Sequence, residues 1–171
     1  MRILHVIHSV DPRSGGPSAA LRQLVRYQLR KEHDVSILAT DAQSARPWLP
    51  EHRYRHRIMH DPAWKKANIH LAHGHGKWKP LARFRYSPRA IRYLTRLLES
   101  TDEHPEIIHI HGLFSHLTLN AARLAQHWNV PYVVRPAGGL NPLSRRHGHA
   151  LVKGMLFRFR EKENLWKARF L

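Results

Sequence analysis

With 171 residues the chain is long enough to bury one substantial core, and a single domain is the expectation. Its 29 Lys and Arg against 12 Asp and Glu leave a net charge of +17, which favours anionic partners: nucleic acid, phosphorylated or nucleotide substrates, or an acidic membrane face. The absence of cysteine excludes disulfides, thiolate chemistry and zinc–thiolate sites, in keeping with a cytoplasmic protein, and no run reaches the roughly 18 apolar residues of a spanning helix.

The chain opens with a short apolar run, Ile3, Leu4, Val6 and Ile7, that ends at Ser9. His5 and His8 interrupt it and no small-residue cleavage site follows, so it reads as a buried strand and not a leader peptide. Asp11-Pro12-Arg13-Ser14-Gly15-Gly16-Pro17 then forms a glycine turn. Pro17 suits a first helical turn. Apolar Ala20, Leu21, Leu24, Val25 and Leu29 recur at helical spacing, with Arg22, Arg26, Arg30 and Lys31 opposite them. His33-Asp34 ends this helix, and Val35, Ile37, Leu38 and Ala39 predict a second buried strand closed by Thr40-Asp41. Strand, helix and strand with tight connections predict a right-handed parallel unit.

Between Gln43 and Lys79 the pattern is weak, and it predicts a long variable loop with one strand near Arg55–Met59. Ser87 and Pro88 are a cap and a first helical residue, followed by Ile91, Tyr93, Leu94, Leu97 and Leu98. After a polar break at 101–106 comes a strand, Ile107 to His111, and then Gly112. Ser115 caps a helix with Leu117, Ala121, Leu124, Ala125 and Trp128 as its inward face. Pro131 to Val134 starts another strand, and a glycine turn runs from Pro136 to Pro142. From about Arg146 a basic amphipathic helix carries Leu151, Met155, Leu156, Phe159 and Trp166 on one stripe. Alternating helices and apolar strands predict an α/β fold, a doubly wound parallel sheet in a single domain.

In such a sheet the loops after the strands share one edge, where ligands bind. Glycine turns follow Ile7, Ile110 and Val134, and Gly15 and Gly16 let backbone N–H groups approach an anion. The first turn is neither a G-x-G-x-x-G nor a P-loop motif. His109 and His111 point to one side of their strand; His111 suits either a ligand contact or a packed, hydrogen-bonded core position. His70, His73 and His75 read as surface histidines of a basic loop without acidic partners, so no metal is expected. Glu99, Asp102, Glu103 and Glu106 form a solvated cluster, and neither a catalytic triad nor a carboxylate pair is indicated. The run Lys153 to Arg169, with Phe157, Phe159, Trp166 and the adjoining Phe170, suits an anionic membrane surface, single-stranded nucleic acid, or packing of its own stripe.

Taken in order, MRILHVIHSVDPRSGGPSAALRQL, His33-Asp34-Val35, Thr40-Asp41, Tyr86-Ser87-Pro88, Ile107 to Phe114 and Pro131 to Pro142 resemble the N-terminal domain of a family-four glycosyltransferase of the GT-B fold. The resemblance covers nearly the whole chain apart from Gln43–Lys79. It implies a Rossmann-like domain of an enzyme that moves a sugar from a nucleotide-sugar donor to a glycan or lipid-linked acceptor, with retention and without a separate cofactor. It assigns Gly15 and Gly16 to the donor phosphate and sugar, and His111, Gly112, Gly138, Gly139 and Asn141 to acceptor-side cleft loops. Many members have a histidine where Ala137 stands and an aspartate where Asn141 stands; others resemble this chain in an Arg-Pro pair, here Arg135-Pro136.

The family's second, donor-binding domain has no counterpart within 1–171, so the resemblance implies little turnover by this chain alone, and association with a separate domain or a second copy. Residence is expected in the cytoplasm, with peripheral contact at the inner membrane face. The alternative is a non-catalytic basic α/β module that binds anionic membrane or nucleic acid.

Overall fold

The computed structural model describes residues 1–41, 50–74, 84–141 and 150–169. Their element order is β1 (Arg2–Ser9), α1 (Gly16–Arg30), β2 (Asp34–Thr40), α2 (Glu51–Met59), β3 (Asn68–Ala72), α3 (Pro88–Glu99), β4 (Ile107–His111), α4 (His116–His127), β5 (Tyr132–Arg135), α5 (Ala150–Leu156) and α6 (Lys162–Trp166). The five strands form one sheet in the order β3-β2-β1-β4-β5, and every pairing is parallel. It is a Rossmann-like α/β domain.

Side-chain alternation divides the core into two layers. Leu4 and Val6 of β1, Ile108 and Ile110 of β4, and Tyr132 and Val134 of β5 meet Leu94 and Leu98 of α3 and Leu117 and Ala121 of α4. On the other face Ile7, Val35, Ile37 and Ala39 meet Leu21 and Val25 of α1 and Tyr54 and Ile58 of α2. Caps fix where the helices begin. The Ser87 hydroxyl accepts from the Ala90 N–H at 3.3 Å, and Ser115 and Thr118 form a reciprocal capping box.

Four expectations need correction. Residues 51–59 form helix α2, not a strand, because Tyr54 and Ile58, four positions apart, are the two residues that reach the core. The stretch at His70 is not a loop: Asn68–Ala72 pairs with β2 as an edge strand, with Leu38 opposite His70. Trp128 caps the end of α4 and is 37% exposed, so Leu119 and Ala122 complete the inward face in its place.

The fourth concerns the C-terminal helix. A π-turn at Phe157–Glu161 separates α5 from α6, and the stripe of Leu151, Met155, Phe159 and Trp166 faces outward, between 62% and 86% exposed. The face that docks carries buried Glu161 and Asn164, with Leu165 and Ala168 packed against the core beside them. Asn164 is buried; its Nδ2 donates to Leu119 O at 3.3 Å, and the Tyr132 hydroxyl donates to Asn164 O at 2.6 Å. The expected helix start at Arg146, His75, Pro142 and Phe170 lie outside the described residues.

Candidate functional site

Strand order reverses direction between β1 and β4, which opens a crevice at the carboxyl ends of those two strands. Loop 10–15 forms one lip. The buried Asp11 carboxylate accepts from the Arg13 N–H at 2.9 Å and fixes a short turn over Pro12–Ser14. Gly15 then adopts φ +85°, ψ −149°, a conformation that side chains resist, and hands the chain to α1. Gly15 at the N-cap has no side chain to offer the first N–H groups of α1, and because α1 follows β1 in the chain their partial positive charge lies at the carboxyl edge of the sheet.

Gly112 opens the other lip, at φ +91°, and its N–H donates to Arg135 O at 2.8 Å, tying the β4 and β5 loops together. Phe114 follows at φ +61°, and its N–H donates to the buried Glu161 carboxylate at 2.7 Å. Burial raises the Glu161 pKa, opposed by that N–H and by Asn164. The β5 loop turns with Gly139 N–H donating to Pro136 O at 2.9 Å and Asn141 N–H to Gly138 O at 3.1 Å. A Cβ on Gly139 would sit 3.0 Å from Pro136 O and 3.2 Å from Leu113 Cδ1, so this turn packs directly on the β4 loop. The structure therefore joins Gly112, Gly138, Gly139 and Asn141 in one pair of loops, with Gly15 and Gly16 across the crevice at the head of α1.

His111 lies beneath these loops and is fully buried. It belongs to a trio that includes His5, on β1, and His109, opposite His5 in the β1–β4 register. The His5 Nε2–H donates to Gln28 Oε1 of α1 at 2.7 Å, which leaves His5 Nδ1 bare to accept the His111 Nε2–H at 3.0 Å. His111 Nδ1 is buried with no partner among the described residues. The His109 and His111 rings stack at 4.1 Å. Burial lowers the pKa of His5 to about 4 and that of His109 to about 4, and that of His111 further, the Arg135 charge adding to the effect on the two β4 histidines. All three are neutral at physiological pH. Sequence reasoning missed His5 as a member; the signal was its parity with Ile3 and Ile7, which puts it on a buried face.

At the ends of β2 and β3 the fold supplies the acidic partners that the sequence around His73 lacks. His73 Nδ1 is 3.2 Å from both Asp41 Oδ2 and Glu51 Oε1, and Arg55 Nη1 donates to the same Asp41 oxygen at 3.0 Å. Arg55 neutralises Asp41, so this cluster is an ion-pair network in its own right. His70 stacks on Tyr93 at 3.6 Å beside Arg89, Arg92 and Arg96. On the opposite face Arg22, Arg26, Arg30, Lys65 and Lys66 line a groove of about 550 Å³, with Asp61 paired to Arg22 at 2.6 Å. The charge excess is thus spread over helix flanks. Among the described residues no helix is long and apolar enough to cross a membrane.

Compared with known families, residues 15–171 match the family described as a glycosyl transferase 4-like domain. No curated protein matches the sequence significantly.

Proposed function

The chain belongs to the glycosyl transferase 4-like domain family, and from that premise we propose that its crevice binds a nucleotide-sugar donor and an acceptor glycan or lipid-linked sugar. The observation that carries the reading is the open N-terminus of α1 at Gly15 and Gly16, facing the Gly112 loop across the switch point of the sheet. Backbone N–H groups and the helix dipole at that corner suit a diphosphate. The paired β4 and β5 loops, with Gly112, Gly138, Gly139 and Asn141, suit the acceptor side. His111 acts from below as a positioning residue. Its Nε2–H is committed to His5, which fixes the ring and with it the start of the Gly112 loop.

Sugar transfer with retention needs stabilisation of an oxocarbenium-like centre and of a departing diphosphate from more than one direction. The crevice supplies one wall, and a second α/β domain supplies the other. Titration of this protein with nucleotide sugars, followed by calorimetry or ligand-observed NMR, tests the donor assignment. Weak binding that Gly15→Val or Gly16→Val abolishes is the expected result; binding unchanged in both variants refutes it. Robust sugar transfer by this chain alone would overturn the one-wall reading.

A second reading rests on a separate observation, the outward stripe of Leu151, Met155, Phe159 and Trp166 flanked by Lys153, Arg158, Lys162 and Lys167. It supports peripheral docking on an anionic membrane, which would also hold a lipid-linked acceptor near the crevice. Cosedimentation with anionic but not neutral vesicles, weakened by salt and by Phe159→Ser with Trp166→Ser, is expected. Retention by oligonucleotides and not by vesicles would favour the basic nucleic-acid-binding alternative.

A further inference from the structure

Three histidines converge on one face of the sheet, on the two strands that border the crevice, and the described residues leave them under-satisfied. Three imidazoles contain six ring nitrogens, yet the only acceptor that reaches them from outside the trio among the described residues is Gln28 Oε1. His111 Nδ1 is buried with no partner among the described residues. Buried polar atoms without partners are uncommon in folded proteins, and a buried water supplies such a contact; the two nitrogens that face each other, His5 Nδ1 and His111 Nε2, bond only within the trio among the described residues.

We propose that His5, His109 and His111 bind one borderline transition-metal ion of the Zn²⁺ or Co²⁺ class. One ring nitrogen from each residue lies within 4.8 Å of the others. The 3.0 Å between His5 Nδ1 and His111 Nε2 is close to the ~3.3 Å that separates two nitrogens bound about 2.0–2.1 Å from one tetrahedral metal. His109 and His111 are two positions apart on one strand, which puts both rings on the same side, and the β1–β4 register brings His5 opposite His109. Gln28 already does what the outer partner of a metal-bound histidine does: it accepts the Nε2–H of His5 and aims the bare Nδ1 inward. On binding, the proton now on His111 Nε2 moves to His111 Nδ1, where a buried water accepts the new N–H, so all three ligands stay neutral and none is lost. Burial favours the neutral rings that a metal requires.

Asp41, Glu51 and His73 form a second group of ligand type, buried at Asp41 and exposed at Glu51, where Arg55 already compensates Asp41. It serves as the control. Around His109 the sheet is more open: Ile107, His109 and Val133 are only half-buried and Arg135 is exposed.

Tag-free protein, stripped with chelator, is titrated with Co²⁺ and followed by visible absorption, with Zn²⁺ displacement and thermal unfolding in parallel. Expected are an intense tetrahedral-type band saturating at one Co²⁺ per chain, its loss on adding Zn²⁺, and a higher unfolding midpoint with Zn²⁺. His109→Gln, at the half-buried corner, removes the band and the midpoint shift, and His73→Gln leaves both intact. Gln28→Ala, which touches no ligand atom, weakens binding about 10–100-fold. If His109→Gln fails to fold, the Gln28→Ala titration decides in its place. No tetrahedral band in wild type, a band that survives His109→Gln, one lost in His73→Gln, or affinity unchanged in Gln28→Ala would each overturn the site. Neither outcome depends on sugar binding.

Discussion

Acidification should unfold this protein through the buried histidines, and the size of the effect follows from where they sit. His5 carries an unfolded pKa of 6.5 and a folded one of about 4. Its depressed folded value means that the unfolded chain binds more protons between those limits. Stability is therefore fully present above about pH 6.5 and is lost as pH falls toward 4. At pH 5 the loss from His5 is about 2 kcal/mol, and His111, shifted further in the same direction, loses a similar ~2 kcal/mol. His109, with a folded value of about 4 and partial exposure, adds less. A total near ~4 kcal/mol is a large share of the roughly 5–15 kcal/mol typical of a folded domain. The groups around the trio are Gln28 on α1 and Arg135 on β5, and Arg135 acts in the same direction as burial.

His70 and His116 are also lowered by burial and add to the slope, whereas Glu161, raised by burial, opposes it at the acid end. Glu161 contributes stability below its unfolded value of 4.5 and loses it as pH rises through the raised one, so a Glu161→Gln background removes its part. Urea unfolding of chelator-treated protein at half-unit steps from about pH 7.5 to 5 measures the profile. The expected result is an unfolding free energy that falls steadily below about pH 6.5, with a shallower slope in His5→Leu whatever that variant's absolute stability. A flat profile over that range, or an unchanged slope in His5→Leu, would refute the reasoning.

Gly15→Ala should destabilise by about 1–3 kcal/mol through backbone strain at φ +85°, ψ −149°, since a Cβ there meets open space; chemical denaturation reads it directly. Gly139→Ala forces its Cβ to 3.0 Å from Pro136 O, and a loss of about 1–3 kcal/mol is expected, accompanied by NMR shift changes at Leu113 across the loop pair. Tyr132→Phe removes the hydroxyl that bonds Asn164 O and should cost about 1 kcal/mol, with faster hydrogen exchange in α6 than in α1. Leu94→Ala empties a fully buried position between α3 and the sheet and should cost about 2–5 kcal/mol in denaturant unfolding.

Local chemistry made most of the sheet legible. Strands rich in apolar residues at 2–9, 34–40, 107–111 and 132–135, separated by helices with the caps Ser87 and Ser115, specify parallel units whatever the rest of the chain does. The glycine turns after three of those strands follow from backbone needs that few other residues meet, so the crevice lips at Gly15, Gly112 and Gly138 were readable in order along the chain. Residues 50–74 were not. Their two buried helical positions, Tyr54 and Ile58, are separated by arginines and a histidine, and β3, at the sheet edge, shows little of the apolar continuity that marks a central strand.

By itself, then, the sequence determined the α/β class, the β1–α1–β2 unit, the glycine loops and the surplus of positive charge. Tertiary structure decided what those pieces face. Only the parallel register of β1 and β4 brings His5 to His109 and His111 across more than a hundred residues of chain, and burial, aided by the Arg135 charge, lowers the pKa of those rings. The same holds for the final helix: its periodicity marks an apolar stripe, but packing chose the face with Glu161, Asn164, Leu165 and Ala168, where the Phe114 N–H finds the Glu161 carboxylate and Asn164 meets Tyr132 and Leu119. Periodicity records which residues share a face; the neighbours that satisfy backbone groups determine which face turns inward.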